Sequence, residues 1–354
     1  MTSSRSTVDE LLERELRRES FWVETDESVA PTRLNAVWRR KVVHWYFTLV
    51  AALQRQHSST VQSPGGDPSV NPFSRYSVHV TASLLDNYLM SLPSERAIRF
   101  NHDRPAYQLL ATTCLLLGMR LAQHDQIKEA RQREASTKQQ ERGLNESPGG
   151  LKRAKTHRTN MNEASASTSS LADSNSRVAI PNAATILRIS AAPKSISEQH
   201  ILSMVREMTS SRSFPRSKVV TALDFIHVLS GTDTHVSDSG DGSTISLGPD
   251  DAEEACRLAD VLLRDASVLG RRPSLVACAV ITIALSRSNR VNLNMASLRD
   301  KVYHSVYGNA DDTDLQFSIR KIESKLFRSI QVGLPSPGDR QVVRTTHLIP
   351  LEDE

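Results

Sequence analysis

Residues 108–120 read Gln108-Leu-Leu-Ala-Thr-Thr-Cys-Leu-Leu-Leu-Gly-Met-Arg120. In a helix, the apolar side chains of this stretch would face almost every direction, and such a helix is normally surrounded by other helices. Pro105 stands just before the stretch, and proline is favoured in the first turn of a helix. We therefore predict a central helix that opens near Pro105.

A second stretch of the same character lies in the other half of the chain. It reads Arg272-Pro-Ser-Leu-Val-Ala-Cys-Ala-Val-Ile-Thr-Ile-Ala-Leu285 and also opens on a proline. In both halves a helix, a polar loop and an amphipathic helix come before the apolar helix, and two more helices follow it. This order indicates an internal repeat of two five-helix units, although its periodicity alone would suit other helical repeats as well.

Apolar residues at three- and four-residue steps place the remaining helices. In the first unit helices are predicted over residues 34–54, 75–92, 105 onward, 185–189 and 197–208, and in the second over 217–229, 251–269, 273–286, 296–307 and 314–330. A short charged helix over residues 8–20 has a narrow apolar edge, so we expect it to lie on a bundle rather than inside one. The predicted fold class is all-α.

The composition divides the chain further. From about residue 125 to 184, Gln, Glu, Lys, Ser, Thr and Asn dominate, and so few large apolar residues cannot offset the entropy of folding. We predict a disordered insertion there. The predicted segments are an N-terminal part with the short helix (1–30), a first unit that holds the insertion (31–214), a second unit (215–332) and a flexible tail (333–354).

Charge and cysteine content exclude several classes of protein. Among 354 residues, 44 Lys and Arg face 40 Asp and Glu, and the net charge of +4 is too small for a nucleic-acid footprint unless the cations cluster. Three isolated cysteines, Cys114, Cys256 and Cys278, indicate neither a disulfide framework nor a metal site. We expect no metal, no cofactor and no nucleic-acid partner.

The longest apolar runs, residues 109–119 and 275–285, are shorter than the roughly 20 residues that span a bilayer. The first 27 residues are charged and polar and contain no signal-peptide pattern. We therefore expect no membrane partner and a location in the nucleus and cytoplasm. The cluster Lys152-Arg-Ala-Lys-Thr-His-Arg158 is similar to a nuclear-localisation signal, but such runs are usually just solvated charge.

Three segments in order resemble the cyclin box: Trp38-Arg-Arg-Lys-Val-Val-His-Trp45, Ser83-Leu-Leu-Asp-Asn-Tyr-Leu89 and the central stretch 108–120. The matching positions are Arg39, Trp45, Asp86, Tyr88, Gln108, Ala111, Leu116 and Arg120. In the second half, residues 259–269 and 272–285 resemble the second cyclin fold. The resemblance implies tandem five-helix cyclin-fold bundles, the first of them interrupted by the insertion.

The resemblance also implies a function. A cyclin-like chain is a regulatory subunit, not an enzyme, that binds and activates a cyclin-dependent serine/threonine kinase in cell-cycle control. Its other partners would be substrates or inhibitors of that kinase. A partner that binds only the active arrangement of a kinase stabilises that arrangement, and it needs no catalytic residue of its own.

The family's interface residues carry over to four positions. Arg120 stands where the family has a kinase-contacting lysine, with Leu117 and Leu121 beside it, while Val205 stands where the family has a glutamate. Val205 is a departure from the family pattern. Glu207 follows two positions later, about 200° round the helix, and so cannot take the place of that glutamate.

Other expected roles follow the same resemblance. Arg39 and Asp86 would form an ion pair between the first two helices of the box. A substrate-docking patch would comprise Trp38, Val42, Trp45 and Gln108, but Lys41 replaces an apolar residue of that patch, and Val42 and Trp45 also suit a core. Three Ser-Pro pairs in predicted loops are candidate phosphorylation sites: Ser63, Ser147 and Ser336.

Two alternatives remain open at this point. A general transcription initiation factor also has two cyclin-type folds, but the basic DNA-binding helix and the zinc-binding cysteine pairs typical of such factors do not occur in this sequence. A divergent cyclin-fold scaffold would bind partners without activating a kinase, and Val205 keeps that alternative open.

Overall fold

The computed structural model describes residues 7–19, 34–60, 73–145, 182–189, 195–211, 214–215, 218–230, 245, 247–288, 294–308 and 312–331. These residues form twelve α-helices and one short 3-10 helix, and they contain no β-strand. The prediction of an all-α protein is confirmed for this part of the chain.

Seven helices precede residue 211: α1 (Thr7–Glu19), α2 (Ala36–Thr60), α3 (Arg75–Ser91), α4 (Ser94–His102), α5 (Arg104–Asn145), α6 (Ala183–Ile189) and α7 (Glu198–Ser210). Five follow: α8 (Ala222–Ser230), α9 (Pro249–Arg264), α10 (Pro273–Arg287), α11 (Met295–Tyr307) and α12 (Thr313–Gln331), with the 3-10 helix Ala266–Val268 between α9 and α10.

Most helix positions agree with the sequence pattern, and Ser197 caps α7 by accepting a hydrogen bond from the His200 amide at 3.3 Å. The structure differs from the prediction for the insertion. Helix α5 continues to Asn145, twenty residues beyond the predicted start of disorder. Residues 125–145 are rich in Gln, Glu, Lys, Arg and Ala, which favour a helix even without apolar burial. Residues 146–181 lie outside the described residues.

Three smaller differences concern one additional helix and the ends of two others. Helix α4 was not predicted, because it is short and buries only Ala97, Phe100 and Asn101. Helix α8 begins at Ala222, five residues later than predicted. Helix α9 ends at Arg264, and the chain then tightens into the 3-10 turn instead of continuing as an α-helix to residue 269.

The first hydrophobic core is built around the N-terminal half of α5. From Leu110 to Met119 every side chain of this helix is buried, and α3, α4, α6 and α7 all pack against it. Helix α2 joins through the Tyr46 hydroxyl, which donates a hydrogen bond to the Ala111 carbonyl at 2.9 Å. The predicted central helix is therefore central to this core.

Helix α3 approaches α5 closely at a glycine. A methyl group added at Gly118 would lie 2.8 Å from Cα and 2.9 Å from Cβ of Thr81, and nearer still to its hydroxyl oxygen. Since part of this contact is with backbone, rotation of the Thr81 side chain could not relieve it. Gly118 thus sets the distance between the two helices.

The second hydrophobic core is built around α10. Of the thirteen positions from Pro273 to Leu285, all except Val276 are buried. Helices α8, α9, α11 and α12 each contact α10. The second apolar stretch thus has the same role as the first.

Helix α1 packs on the second core, although it is the first in the chain. Val8 and Leu12 are buried among side chains of that core. At its other end, the Glu19 carboxylate accepts hydrogen bonds from the backbone N–H and the hydroxyl of Ser274, both at 2.6 Å. Ser274 lies in the first turn of α10, where backbone N–H groups lack helical partners and a negative charge is favourable.

A half-buried cation, Lys218, joins α1, α5 and the start of α8. Lys218 Nζ lies 2.5 Å from Asp224, 2.7 Å from Glu129 and 4.0 Å from Glu15. Burial alone would lower the pKa of Lys218, but these three carboxylates raise it above its ordinary value. Burial raises the pKa of the neighbouring Asp125 against the opposing attraction of Lys218.

Replacing Gly118 by alanine should destabilise the first core. In an unobstructed helix the change would add stability, but overpacking against Thr81 is expected to cost about 1–3 kcal/mol. Urea unfolding of the full chain measures this. The control, Ser203→Ala on the exposed side of α7, should change the free energy of unfolding by less than about 0.5 kcal/mol. A stabilised Gly118→Ala variant would contradict the close approach.

Replacing Asp125 by asparagine should stabilise the protein near neutral pH. Because the folded state raises the pKa of this carboxyl above its ordinary value of 3.8, the wild-type protein loses stability as the pH rises from that value through the folded-state pKa. The gain should therefore be larger at about pH 7 than at about pH 4, as urea midpoints at both values will show.

A control for this experiment lies one helical turn further along α5. Glu129 accepts a hydrogen bond from Lys218 at 2.7 Å, so Glu129→Gln should destabilise the protein at about pH 7. The two substitutions remove the same charge from the same cluster, and effects of the same sign would contradict the interpretation.

Candidate functional site

The ion pair expected between Arg39 and Asp86 is present and buried. Arg39 Nε donates to one carboxylate oxygen of Asp86 at 2.8 Å, and Nη2 donates to the other at 2.7 Å. Although burial alone would lower the pKa of Arg39, pairing with Asp86 raises it. This bidentate geometry gives a guanidinium–carboxylate pair its directionality, and it fixes α2 against α3.

Arg39 has a further partner that the sequence did not indicate. Its Nη1 donates to the backbone carbonyl of Leu263, near the end of α9, at 2.7 Å. Arg39 therefore bonds to α3, a helix of the first core, and to α9, a helix of the second. A backbone carbonyl is available at every position of a chain, so no sequence signal could have identified this one.

Other polar contacts between the cores surround Arg39. His79 Nε2 and Asp260 Oδ1 are 2.9 Å apart, with both side chains buried. Arg75 pairs with Asp260 at 2.9 Å and with Glu253 at 2.8 Å. The one signal for this network in the sequence is an aspartate, Asp260, within the apolar pattern of α9.

A cation–aromatic contact completes this boundary, because the Arg264 guanidinium lies 5.0 Å from the centre of the Phe47 ring. A cavity of about 70 Å³ lies nearby, lined by Arg39, His79 and Asp86 among others. These three polar side chains already bond to protein groups, so they are not available to hold a ligand.

The predicted kinase-binding residues lie on α5 and α7, which pack against each other. Arg120 is exposed, Leu117 is buried, and Leu121 and Val205 are half-buried against the first core. Within the described part of the chain, Arg120 forms no ion pair or side-chain hydrogen bond. Arg120 is thus an exposed cation that is followed in the helix by the half-buried Leu121.

Helix α7 adds an apolar side chain that the sequence reasoning missed. Leu202 is 38% exposed and lies one turn before Val205, on the same side of the helix. Exposed Leu202 and half-buried Val205 together give this side of α7 an apolar surface. Leu202 fits the periodicity of a buried residue, so the pattern alone would have placed it in the core.

Glu207 does not stand in for the carboxylate that the resemblance to the cyclin box would place at position 205. It accepts a hydrogen bond from the Tyr88 hydroxyl at 2.7 Å, and it forms an ion pair with Arg96. These contacts hold its carboxylate toward α3 and α4. The arrangement agrees with the angular separation inferred from the sequence.

The predicted substrate-docking patch requires a correction. Val42, Trp45 and Gln108 are buried, so they offer a peptide no accessible surface. Trp38 is half-buried, with its ring 5.4 Å from that of Tyr107. The four residues share a region but belong mainly to the first core, because the apolar pattern that suggested docking is also the pattern of burial.

The candidate phosphorylation sites Ser63, Ser147 and Ser336 lie outside the described residues, as does the basic cluster 152–158. In the ranges that are described, no group of three or more His, Cys, Asp or Glu residues is placed to hold a metal ion. None of the described helices is long and apolar enough to cross a membrane.

Comparisons with known proteins add no assignment. No protein-family model matches the chain, and no curated protein is significantly similar to it. Functional argument therefore depends on the residues and their geometry.

Replacing Asp86 by asparagine should strongly destabilise the fold, because it leaves the Arg39 charge buried without a counter-ion. The expected loss is about 3–5 kcal/mol in the free energy of urea unfolding. The matched control is Glu13→Gln, which breaks an exposed pair with Arg17 at the same distance of 2.7 Å and should leave the unfolding midpoint unchanged.

A double variant separates charge burial from packing. Arg39→Met with Asp86→Leu removes both charges, and it should recover most of the stability that Asp86→Asn loses. If Asp86→Asn and Glu13→Gln lowered the free energy of unfolding by the same small amount, the buried pair would not have the importance assigned to it.

Proposed function

We propose that this chain is a cyclin-like regulatory subunit that binds and activates a cyclin-dependent serine/threonine kinase in cell-cycle control. The observation that carries the proposal is the contact between α5, which has exposed Arg120 and half-buried Leu121, and α7, which has half-buried Val205 and exposed Leu202. A cation at the edge of an apolar surface suits a protein partner, since apolar contact supplies affinity and charge supplies orientation.

The arrangement of helices supports the same proposal. Two cores each surround one apolar helix, α5 or α10, and each of these helices has a proline in its first turn. The buried pair of Arg39 and Asp86 occupies the positions at which the sequence resembles the cyclin box. The proposed fold is a tandem pair of cyclin-type bundles, with α1 as an N-terminal addition.

The proposed action needs no catalysis by this chain. A protein kinase is active when a glutamate on its mobile regulatory helix pairs with the catalytic lysine. A surface that contacts this helix only in its active position would stabilise that position by its differential affinity. Arg120 would anchor the contact electrostatically, and the apolar residues of α7 would pack on the kinase.

A second function is favoured by one specific observation, the valine at position 205. With Val205 at this position and Glu207 engaged by Tyr88 and Arg96, the surface beside Arg120 lacks the carboxylate found in the family. A divergent scaffold that binds a kinase or another protein without activating it would tolerate this loss. Kinase activity in the recovered complex distinguishes the two functions.

Arg120→Glu should abolish recovery of the kinase while leaving the helical circular dichroism unchanged, because the residue is exposed and reversal of its charge repels the same partner. The measurement is affinity purification of the tagged full chain from dividing cells, with an assay of serine/threonine kinase activity on the beads. Nuclear and cytoplasmic fractions, the locations we propose for this chain, should be tested separately.

The matched control is Arg131→Glu, an exposed arginine further along the same helix, which should retain the kinase. Equal recovery by both variants would move the interface elsewhere. Recovery of the kinase without activity would support the scaffold, and recovery of no such kinase by the wild-type chain would overturn the proposed function.

A further inference from the structure

One side of α12 is exposed along most of its length and combines aromatic with basic side chains. Phe317 and Phe327 are 64% and 42% exposed, and three cations on this side are exposed as well. At 100° per residue these side chains fall within an arc of about 120°. We define the α12 face by its exposed residues Phe317, Arg320, Lys321, Ser324, Phe327 and Arg328.

The opposite side of α12 accounts for its place in the fold. Ile319, Ile322 and Leu326 are buried in the second core, and Glu323 accepts a hydrogen bond from Arg299 at 2.5 Å. The α12 face is therefore not needed for packing against the second core. Two exposed phenylalanines on one helix are an unusual feature for a surface that contacts only water, and exposed apolar patches commonly mark interaction sites.

We propose that residues 348–354 of the same chain bind the α12 face. This segment reads Leu348-Ile-Pro-Leu-Glu-Asp-Glu354, so three large apolar residues are followed by three acidic ones. The α12 face offers two phenylalanines and three cations in return. The apolar part of the segment covers the two rings, and its carboxylates pair with the cations.

The length of the connecting chain permits this arrangement. Sixteen residues separate Gln331, at the end of α12, from Leu348, and extended chain covers about 3.3 Å per residue, or roughly 50 Å in all. The return path to Phe317 is only about 21 Å, because fourteen helical residues rise about 1.5 Å each. Gly333, Pro335, Pro337 and Gly338 are residue types that favour chain reversal.

Tethering favours this segment over the same segment of a second copy. A connection of sixteen residues gives an effective concentration of about millimolar, well above the micromolar concentrations at which the protein would be studied. A contact of modest intrinsic affinity is therefore occupied within the chain before it is occupied between chains. The inference is independent of the kinase-binding role proposed for α5 and α7.

Contact quenching of a fluorophore in the full chain tests the proposal. Ser324→Cys places a bimane label within the α12 face, and Leu351→Trp places a quencher in the segment. Labelling is selective because the three native cysteines are buried, and burial raises the pKa of each thiol, that of Cys256 to about 11. We expect at least twofold quenching relative to the labelled chain that keeps Leu351.

Two matched double variants locate the contact. Phe317→Ser with Arg320→Glu should abolish the quenching, whereas Val37→Ser with Arg40→Glu, an equally spaced exposed pair on α2, should retain it. Arg328→Glu, a single exposed change, keeps the test informative if the first double variant fails to fold. Replacing Glu352, Asp353 and Glu354 by lysine should also abolish the quenching. About 1 M salt should weaken the quenching by screening the charges.

Three outcomes overturn the proposal. Absence of quenching in the labelled Leu351→Trp chain shows that the segment does not reach the α12 face. Equal quenching in the two double variants shows that the contact lies elsewhere. Quenching that increases with protein concentration assigns the contact to a second copy of the chain.

Discussion

The way in which the two hydrophobic cores meet depends on the Arg39 guanidinium, which is buried at their boundary and bonds to a helix of each. A guanidinium presents its donors in a fixed planar fork, so Arg39 can hold both oxygens of Asp86 while its remaining nitrogen reaches the Leu263 carbonyl. Lysine could not make this set of bonds from a single ammonium group. Because a buried charge is costly when unpaired, the relative position of α2, α3 and α9 is restricted to the one arrangement that satisfies it.

Other contacts reinforce this boundary from different sides. His79 and Asp260 form a second buried polar contact between α3 and α9. Lys218 pairs with carboxylates of α1, α5 and α8. Helix α1 adds Glu19 at the start of α10. The cores themselves are apolar, while the specific contacts between and around them are largely polar. Apolar burial thus supplies the stability of each core, and directional polar bonds fix how the cores meet.

The sequence was sufficient to predict most of the helices and the two central elements, because apolar periodicity directly encodes which faces are buried. It did not predict α4, which buries only three residues. It also predicted the pair of Arg39 and Asp86, since both residues belong to a motif that the sequence resembles. It could not predict where α1 packs, because an amphipathic edge such as that of Val8 and Leu12 indicates burial without naming the partner. The carbonyl of Leu263 left no sequence signal at all.

Surface roles were harder to predict than the core, for a related reason. Val42 and Trp45 were assigned both to a docking patch and to the core, and the structure resolves this ambiguity as burial. Leu202 and Phe317 were not singled out, because isolated apolar residues in an amphipathic helix look the same whether they are buried or exposed. Whether an apolar residue serves the core or a binding surface thus depends on its exposure, and exposure is known only from the packed structure.

The polar boundary also bears on how the surfaces could act together. Arg120 lies on a helix of the first core and the α12 face on a helix of the second, and the bonds of Arg39 couple these cores. A surface held in place before a partner arrives loses less conformational entropy on binding than one that must be ordered. The buried bonds of Arg39 therefore reduce the conformational entropy that a partner bound at Arg120 would have to remove. The departure at Val205 would then remove one polar contact from such an interface while leaving its preorganised geometry intact.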